Sequence, residues 1–411
     1  MPKIGVILLP GILGSPLQKL DGTQAWPVHQ MGATNPINVG SWYTAWFDKK
    51  LQWFVDPGFL PSTQVIKAKK ERSLTLNSYI ENVAGIYQDF LNGLIGRKLV
   101  GPDSKELKLE ADSYSVFVVN YDWARPVMET RNDVVKDTQD FVNTYKCEKF
   151  IYVTHSMGGI VGMAALLDPW VQQKCLGIVR VACPVVGAPE ATARLVRGIL
   201  PGDTMQSGIA STMLGNTGRK FSLFAACLPG LASLLPQWGQ TRINMDHVTA
   251  ILNYHFSNDT NYTSPNDNED ASAFKFGNKH LKSLIYRFGE NITIANELMD
   301  LLIKDASLFT KYVSSITLSG KKTLDSYVVN ASPNSPYINP TPKWSQDGDG
   351  TVPFSSQGCF SSREIYVDGG IDHADAFSDP RTWPHIIDAM NDLIKKDAIK
   401  NMMDDLKKKM D

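Results

Sequence analysis

Ser156 stands in the run Phe150-Ile151-Tyr152-Val153-Thr154-His155-Ser156-Met157-Gly158-Gly159, where an apolar segment of strand type passes through a turn into an apolar segment of helix type. A serine hydroxyl attacks a carbonyl only when a base removes its proton and a tight strand-to-helix turn holds it exposed. Small residues two before and two after the serine let strand and helix approach each other; Gly158 fills the later place and Thr154 the earlier. Thr departs from the usual glycine, yet it is compact and β-branched, which suits a strand end. A serine beside glycine is by itself more often a turn or cap residue, so the flanking strand and helix carry the reading of Ser156 as a nucleophile for acyl transfer. His155 reads as a packed or hydrogen-bonded turn residue rather than as a second base.

A base and an acid must then follow in the order serine, acid, histidine, each on a loop at the C-terminal edge of a sheet. Downstream lies one outstanding acidic loop, Gln346-Asp347-Gly348-Asp349-Gly350-Thr351-Val352-Pro353. After it come the strand-like Glu364-Ile365-Tyr366-Val367 and the Gly-rich turn Asp368-Gly369-Gly370-Ile371-Asp372-His373. His373 is therefore the expected base. Asp349, which precedes a Gly-Thr-Val bend, is the favoured acid, with Asp347 as the alternative. Two acids without a bidentate Glu do not make a calcium loop of EF-hand type, and neither a metal nor a cofactor is expected. Acyl transfer also needs backbone N–H donors for the developing oxyanion. Met157, just after the nucleophile, should supply one, and the turn Leu9-Pro10-Gly11-Ile12-Leu13-Gly14-Ser15 the other, from Ile12.

The elements that must position these groups are legible as apolar runs. Lys3 to Leu9, Ser115 to Asn120, Phe150 to Val153 and Gly177 to Ala182 lack alternation and are rich in Val and Ile, as strands buried on both faces of a parallel sheet are. Between them, Arg131 to Tyr145 places Val134, Val135, Phe141 and Val142 at helical spacing, and Gly158 to Leu167 is a compact apolar helix. Alternating strands and helices predict a mostly parallel, doubly wound α/β sheet. From about Glu190 to Lys311 that rhythm is lost among helical segments, Gly and Pro breaks and the polar loop Ser257 to Asp270. An insertion that long needs a core of its own and reads as a mainly helical cap domain. Strand character returns at Ser315 to Leu318 and Glu364 to Val367, and an amphipathic helix from Trp383 is expected to close over the sheet. The expected division is a catalytic domain over residues 1–189 and 312–411, with a lid-like segment at 23–66, and a cap over 190–311.

Bulk properties narrow the partners. With 41 Lys plus Arg against 42 Asp plus Glu and no long block of one sign, nucleic acid is not expected. The five cysteines, Cys147, Cys175, Cys183, Cys227 and Cys359, are widely spaced without a CxxC pair, which reads as reduced thiols. The apolar start is broken by Pro10-Gly11 and reads as a buried strand rather than a leader, so a cytoplasmic protein, able to meet membranes peripherally, is expected. The uncharged stretch Phe221 to Thr241 has nearly the length of a span, but Pro229, Gly230 and Pro236 would break a spanning helix.

Taken together, Pro10-Gly-Ile-Leu-Gly14, Asn120-Tyr-Asp-Trp-Ala-Arg125, Thr154-His-Ser-Met-Gly158, Asp347-Gly-Asp-Gly-Thr-Val-Pro353 and His373 resemble the lecithin:cholesterol acyltransferase family, which also holds lysosomal phospholipases and phospholipid:diacylglycerol acyltransferases. The motifs run through nearly the whole chain in the family's order. That resemblance implies an α/β-hydrolase fold and an acyl-enzyme mechanism on lipid esters, with transfer to water or to an alcohol. It points to Ser156, Asp349 and His373, with Ile12 and Met157 as oxyanion donors. The family's Tyr-Asp-Trp-Arg is interrupted by Ala124; Tyr121 within it is a candidate substrate contact. The aromatic stretch Ser41 to Asp48 looks like the family's lid and membrane-contact region, which makes Trp42 and Trp46 candidate substrate contacts. No cysteine precedes Cys147, so the disulfide that closes the lid of secreted members has no counterpart. Other readings are an esterase for small soluble esters, a catalytically silent scaffold used for binding, and a peptidase.

Overall fold

The apolar runs become neighbouring strands of one sheet. In the computed structural model, residues 3–15, 17–19, 24–26, 66–68, 78–79, 85–198, 217–237, 242–256, 278–331 and 338–410 are described. The strands labelled here are β1 (Ile4–Leu9), β2 (Ser78–Tyr79), β3 (Tyr114–Val118), β4 (Lys149–His155), β5 (Cys175–Val181) and β6 (Val313–Leu318), then a hairpin of β7 (Thr323–Ala331) and β8 (Ile338–Ser345), and β9 (Arg363–Val367); five short strands (Leu17–Lys19, Gln24–Trp26, Ile66–Ala68, Leu99–Val100 and Glu106–Leu107) form two small separate sheets. Of the labelled strands, all but the hairpin join one sheet in the order β9-β6-β5-β4-β1-β3-β2, and every pairing in it is parallel. The side chains of β1 are buried throughout, and so are those of β4 from its second residue onward. Helices on both faces of the sheet account for such runs. The chain first leaves β1 toward β2 and β3 on one side and then crosses to β4 on the other. In open α/β sheets, ligand crevices form at the strand ends where the winding reverses in this way. The register pairs Leu9 with Thr154 and His155 with Val181, which levels the ends of β1, β4 and β5.

The helices are α1 (Gln88–Ile95), α2 (Val127–Thr144), α3 (Met157–Leu166), α4 (Pro169–Lys174), α5 (Pro189–Arg197), α6 (Gly218–Cys227), α7 (Pro229–Ala232), α8 (Met245–Phe256), α9 (Asn278–Lys304), α10 (Ala306–Tyr312), α11 (Phe354–Gln357) and α12 (Trp383–Met410). Helix α2 turns Val134, Val135, Phe141 and Val142 inward, as their spacing predicts. Every residue of α3 is buried, because it is sandwiched between α2 and strands β1, β4 and β5. The break at Leu228-Pro229 separates α6 from α7, and no helix among the described residues is long and apolar enough to cross a membrane.

Val248, Ile251, Leu252 and Phe288 of the helices between β5 and β6 are buried, and they belong to the same apolar cluster as the buried side chains of the sheet. The β7–β8 hairpin was not legible, because Pro340 and Pro342 argue against a strand. They are tolerated because β8 pairs with β7 alone in a two-stranded sheet, while β7 packs on α5 and α8. Finally, α12 closes over the sheet only through Ile386, Ile387, Met390, Leu393 and Ile394; Ile399, Met402, Met403 and Leu406 are each more than half exposed. At about 1.5 Å per residue, a helix of 28 residues is about 42 Å long and outruns strands of five to seven residues.

Candidate active site

Ser156 sits where β4 gives way to α3, with φ 51° and ψ −126°. A non-glycine residue in that region carries about 1–3 kcal/mol of backbone strain, which its surroundings must hold. Its N–H donates to Val181 O at 3.0 Å, and its carbonyl accepts from Gly159 N–H at 2.9 Å. Gly158 is required by close approach: a methyl group there would collide with the carbonyl oxygens of Leu9 and Pro10. The unusual Thr154 finds its room on the helix, since a Cβ on Gly162 would lie 3.2 Å from the Thr154 methyl. Ser156 is thus pinned, with only 4% of its surface exposed.

His373 lies in a short 3-10 turn just after β9, and its N–H donates to Asp349 O at 2.9 Å. Its Nδ1 is 2.7 Å from Asp349 Oδ2 and its Nε2 is 2.9 Å from Ser156 Oγ. A carboxylate can only accept, so Nδ1 carries the proton and Nε2 is free to accept from the serine hydroxyl. Asp349 is fully buried, and its other oxygen accepts from the N–H groups of Thr351 at 2.9 Å and Val352 at 2.7 Å. Burying a carboxylate without such donors would cost several kcal/mol. Asp347, the alternative acid, is exposed, and its N–H and carbonyl serve the turn through Ser345 and Phe354.

The turn after β1 is closed by Gly14 N–H donating to Gly11 O at 3.0 Å, and Leu13 adopts φ 65°. The backbone bonds that close this turn do not use the N–H of Ile12. Met157 opens α3, where helical N–H groups have no partner within the helix. A Cβ on Gly158 would meet the carbonyl oxygens of Leu9 and Pro10, and one on Gly11 would lie 3.1 Å from Ser156 Cβ, so the turn after β1 lies against the start of α3. Tyr121, expected to contact substrate, has a different place. It is 1% exposed, and its hydroxyl donates to Pro10 O at 2.6 Å while its N–H donates to Ser15 Oγ at 3.2 Å. Trp123 Nε1 donates to Ser15 O at 3.1 Å, so this segment braces the turn from behind. Trp42 and Trp46, and the lid-like segment around them, lie outside the described residues.

Several supports were not anticipated. Gln357 on α11 donates to Val352 O at 3.0 Å and Leu318 O at 3.2 Å and accepts from Leu318 N–H at 2.8 Å, which clamps the acid loop to β6. Arg180, fully buried on β5, donates to Ser315 Oγ at 2.6 Å, to Gln357 O at 3.1 Å and to Cys359 O. Tyr87, immediately before α1, donates or accepts at two points near the serine. No local pattern signals any of these, because apart from the bond of Gln357 to Val352 O the partners are distant in sequence. Among the described residues, no cluster of His, Cys, Asp and Glu could hold a metal ion.

The sequence pattern of the lecithin:cholesterol acyltransferase family matches residues 110–306. None of the curated proteins compared matches the chain. Among solved structures, one determined as the Tle4-Tli4 complex is similar, with a TM-score of 0.59 and 14% identity, covering 95% of this chain and 98% of that one. At such identity the likeness is one of fold. The lipase BlEst2 of Bacillus licheniformis matches with a TM-score of 0.39 at 10% identity, over 95% of this chain and 91% of that one. Phospholipase PlaB of Legionella pneumophila matches with a TM-score of 0.23 at 11% identity, over 55% and 33%. The fold is that of the α/β-hydrolases, as expected. The family match supports ester chemistry on lipids, by hydrolysis or acyl transfer.

Proposed function

We propose that this chain, related to the lecithin:cholesterol acyltransferase family over residues 110–306, is a serine-dependent hydrolase or O-acyltransferase of lipid esters. Supporting it is one hydrogen-bonded chain, Ser156 Oγ to His373 Nε2 at 2.9 Å and His373 Nδ1 to Asp349 Oδ2 at 2.7 Å, mounted on a strained strand-to-helix turn. As Ser156 Oγ attacks the ester carbonyl, its proton passes to His373 Nε2, and Asp349 stabilises the imidazolium that forms. The carbonyl oxygen becomes negative beside the N–H groups of Ile12 and Met157. Collapse of that intermediate expels the alcohol, which takes the proton from His373 and leaves an acyl group on Ser156. Water or an acceptor alcohol then enters by the same steps in reverse. The helices α5 to α9 serve as a cap, and the aromatic lid-like segment 23–66, with Trp42 and Trp46, meets the acyl chains. Cys147, Cys175, Cys183 and Cys359 are unpaired thiols, which supports a reducing, cytoplasmic setting with peripheral contact to lipid.

Mass spectrometry of a labelled phospholipid incubated with purified protein, with and without a long-chain alcohol or sterol, tests the proposal. Free fatty acid in both samples identifies a hydrolase, and a new ester only with the alcohol identifies an acyltransferase. Neither product, with short soluble esters also untouched, would overturn it.

A further inference from the structure

Behind Ser156, four hydrogen-bonding groups lie in a row. The N–H of Gly11 is 2.8 Å from the Tyr87 hydroxyl, which is 2.7 Å from His155 Nδ1, and His155 Nε2 is 3.0 Å from the carbonyl oxygen of His373. A carbonyl oxygen only accepts, so His155 Nε2 must carry the proton. Burial, helped by the nearby His373, holds the His155 imidazole down to about 3, so the ring is neutral and its Nδ1 is bare. Tyr87 therefore donates to Nδ1, and its oxygen accepts from Gly11. The direction of every bond is settled, running from Gly11 through Tyr87 and His155 to His373.

The row is also packed. Phe377 stands edge-on to the Tyr87 ring at 5.3 Å and to the His155 ring at 5.7 Å, and the His155 and His373 rings are 5.1 Å apart. At Gly11, a Cβ would lie 3.1 Å from His155 Nδ1 and 3.1 Å from Ser156 Cβ, so the turn is pressed against both. The next residue is Ile12.

We propose that Tyr87 and His155 are positioning residues that tie the turn carrying the Ile12 N–H to the backbone of His373, so that oxyanion donor and base keep one spacing about Ser156. This inference rests on the acyl-enzyme reading above. Without the tie, the turn and the base loop would be held to β1 and β9 independently. A displacement of about 1 Å at a reacting site can cost about 100-fold in rate.

The test compares Tyr87→Phe, His155→Leu and His155→Gln on an activated ester and on its thionoester, whose sulfur is a poorer acceptor for N–H donors. Tyr87→Phe and His155→Leu should each lose about 10- to 100-fold in kcat with KM within about twofold of the parent. Their preference for ester over thionoester should shrink, and the double variant should be no worse than either single one. Glutamine offers one donor and one acceptor, so His155→Gln should recover most of the rate. A parental kcat in Tyr87→Phe, a loss confined to KM, or equal losses on ester and thionoester would each overturn the positioning role. A parent protein that neither turns over esters nor takes up a fluorophosphonate would instead overturn the acyl-enzyme reading, and the positioning role with it.

Discussion

Ser156 and His373 meet across 2.9 Å, yet the two sides of that contact are mounted in different ways. On the serine side, shape does the holding: α3 is buried at every residue, and Gly158 and Gly162 leave room for the end of β1 and for Thr154. On the histidine side, polar bonds do it. Asp349 receives two backbone N–H groups, His373 N–H donates back to Asp349 O, and Gln357 clamps Val352 to β6. A mount of the first kind fails by collision and costs stability as well as rate. A mount of the second kind fails when one partner changes its hydrogen-bonding sense, and can do so with the fold intact.

The sharpest way to break the polar side is chemical. Asp349→Asn keeps an acceptor for Thr351 and Val352 but turns a donor toward His373 Nδ1, forcing the wrong tautomer. We expect kcat to fall by about four orders of magnitude with little change in melting temperature. Ser156→Ala and His373→Ala should cost about as much or more, and combining them should add little. Activity in Asp349→Asn near the parent's, with loss in Asp347→Asn, would reassign the acid. On the steric side, Gly158→Ala should lower stability by about 1–3 kcal/mol as well as turnover, because the methyl group pushes against Leu9 and Pro10 beside the oxyanion turn. A variant that loses rate but melts like the parent would show that shape is not what holds this side.

The smallest effect lies at the brace behind the turn. Asp122 is buried, accepts from Ala124 N–H at 2.9 Å and has a second oxygen without a partner; desolvation raises its carboxyl to about 7. Unfolded, it would lose its proton near 3.8, so between these values the folded chain holds a proton that the unfolded chain has released. Stability from this group is complete at low pH and declines as pH rises to about 7. Asp122→Asn should therefore gain on the parent in melting temperature across that window and run parallel to it above. A constant difference across pH would assign the effect to something other than this proton.

What was legible in the sequence follows the same division. Ser156, Asp349, His373 and the Ile12 turn each sit on a local sign, a strand end followed by small residues or a Gly-rich acidic bend, so type and chain order sufficed to bring them together. Tyr87 had no such sign, since its partners lie 76 and 68 residues away. Tyr121 shows what a motif leaves open, since an aromatic side chain can as well brace a loop as touch a ligand, and here it is buried with its hydroxyl on Pro10 O. Thr154 departs from the usual glycine of the turn, and the room for its methyl group comes from Gly162 on α3. Pro340 and Pro342 hid a hairpin strand that pairs on one side only.

The most direct measurement is intact-mass and peptide-mapping mass spectrometry after treatment with a fluorophosphonate, run beside ester turnover for the parent and Ser156→Ala. One adduct per chain, located on Ser156, with both labelling and turnover abolished in the variant, is the expected result. Turnover that survives in Ser156→Ala, or an adduct on another residue, would contradict the assignment of Ser156 as the nucleophile.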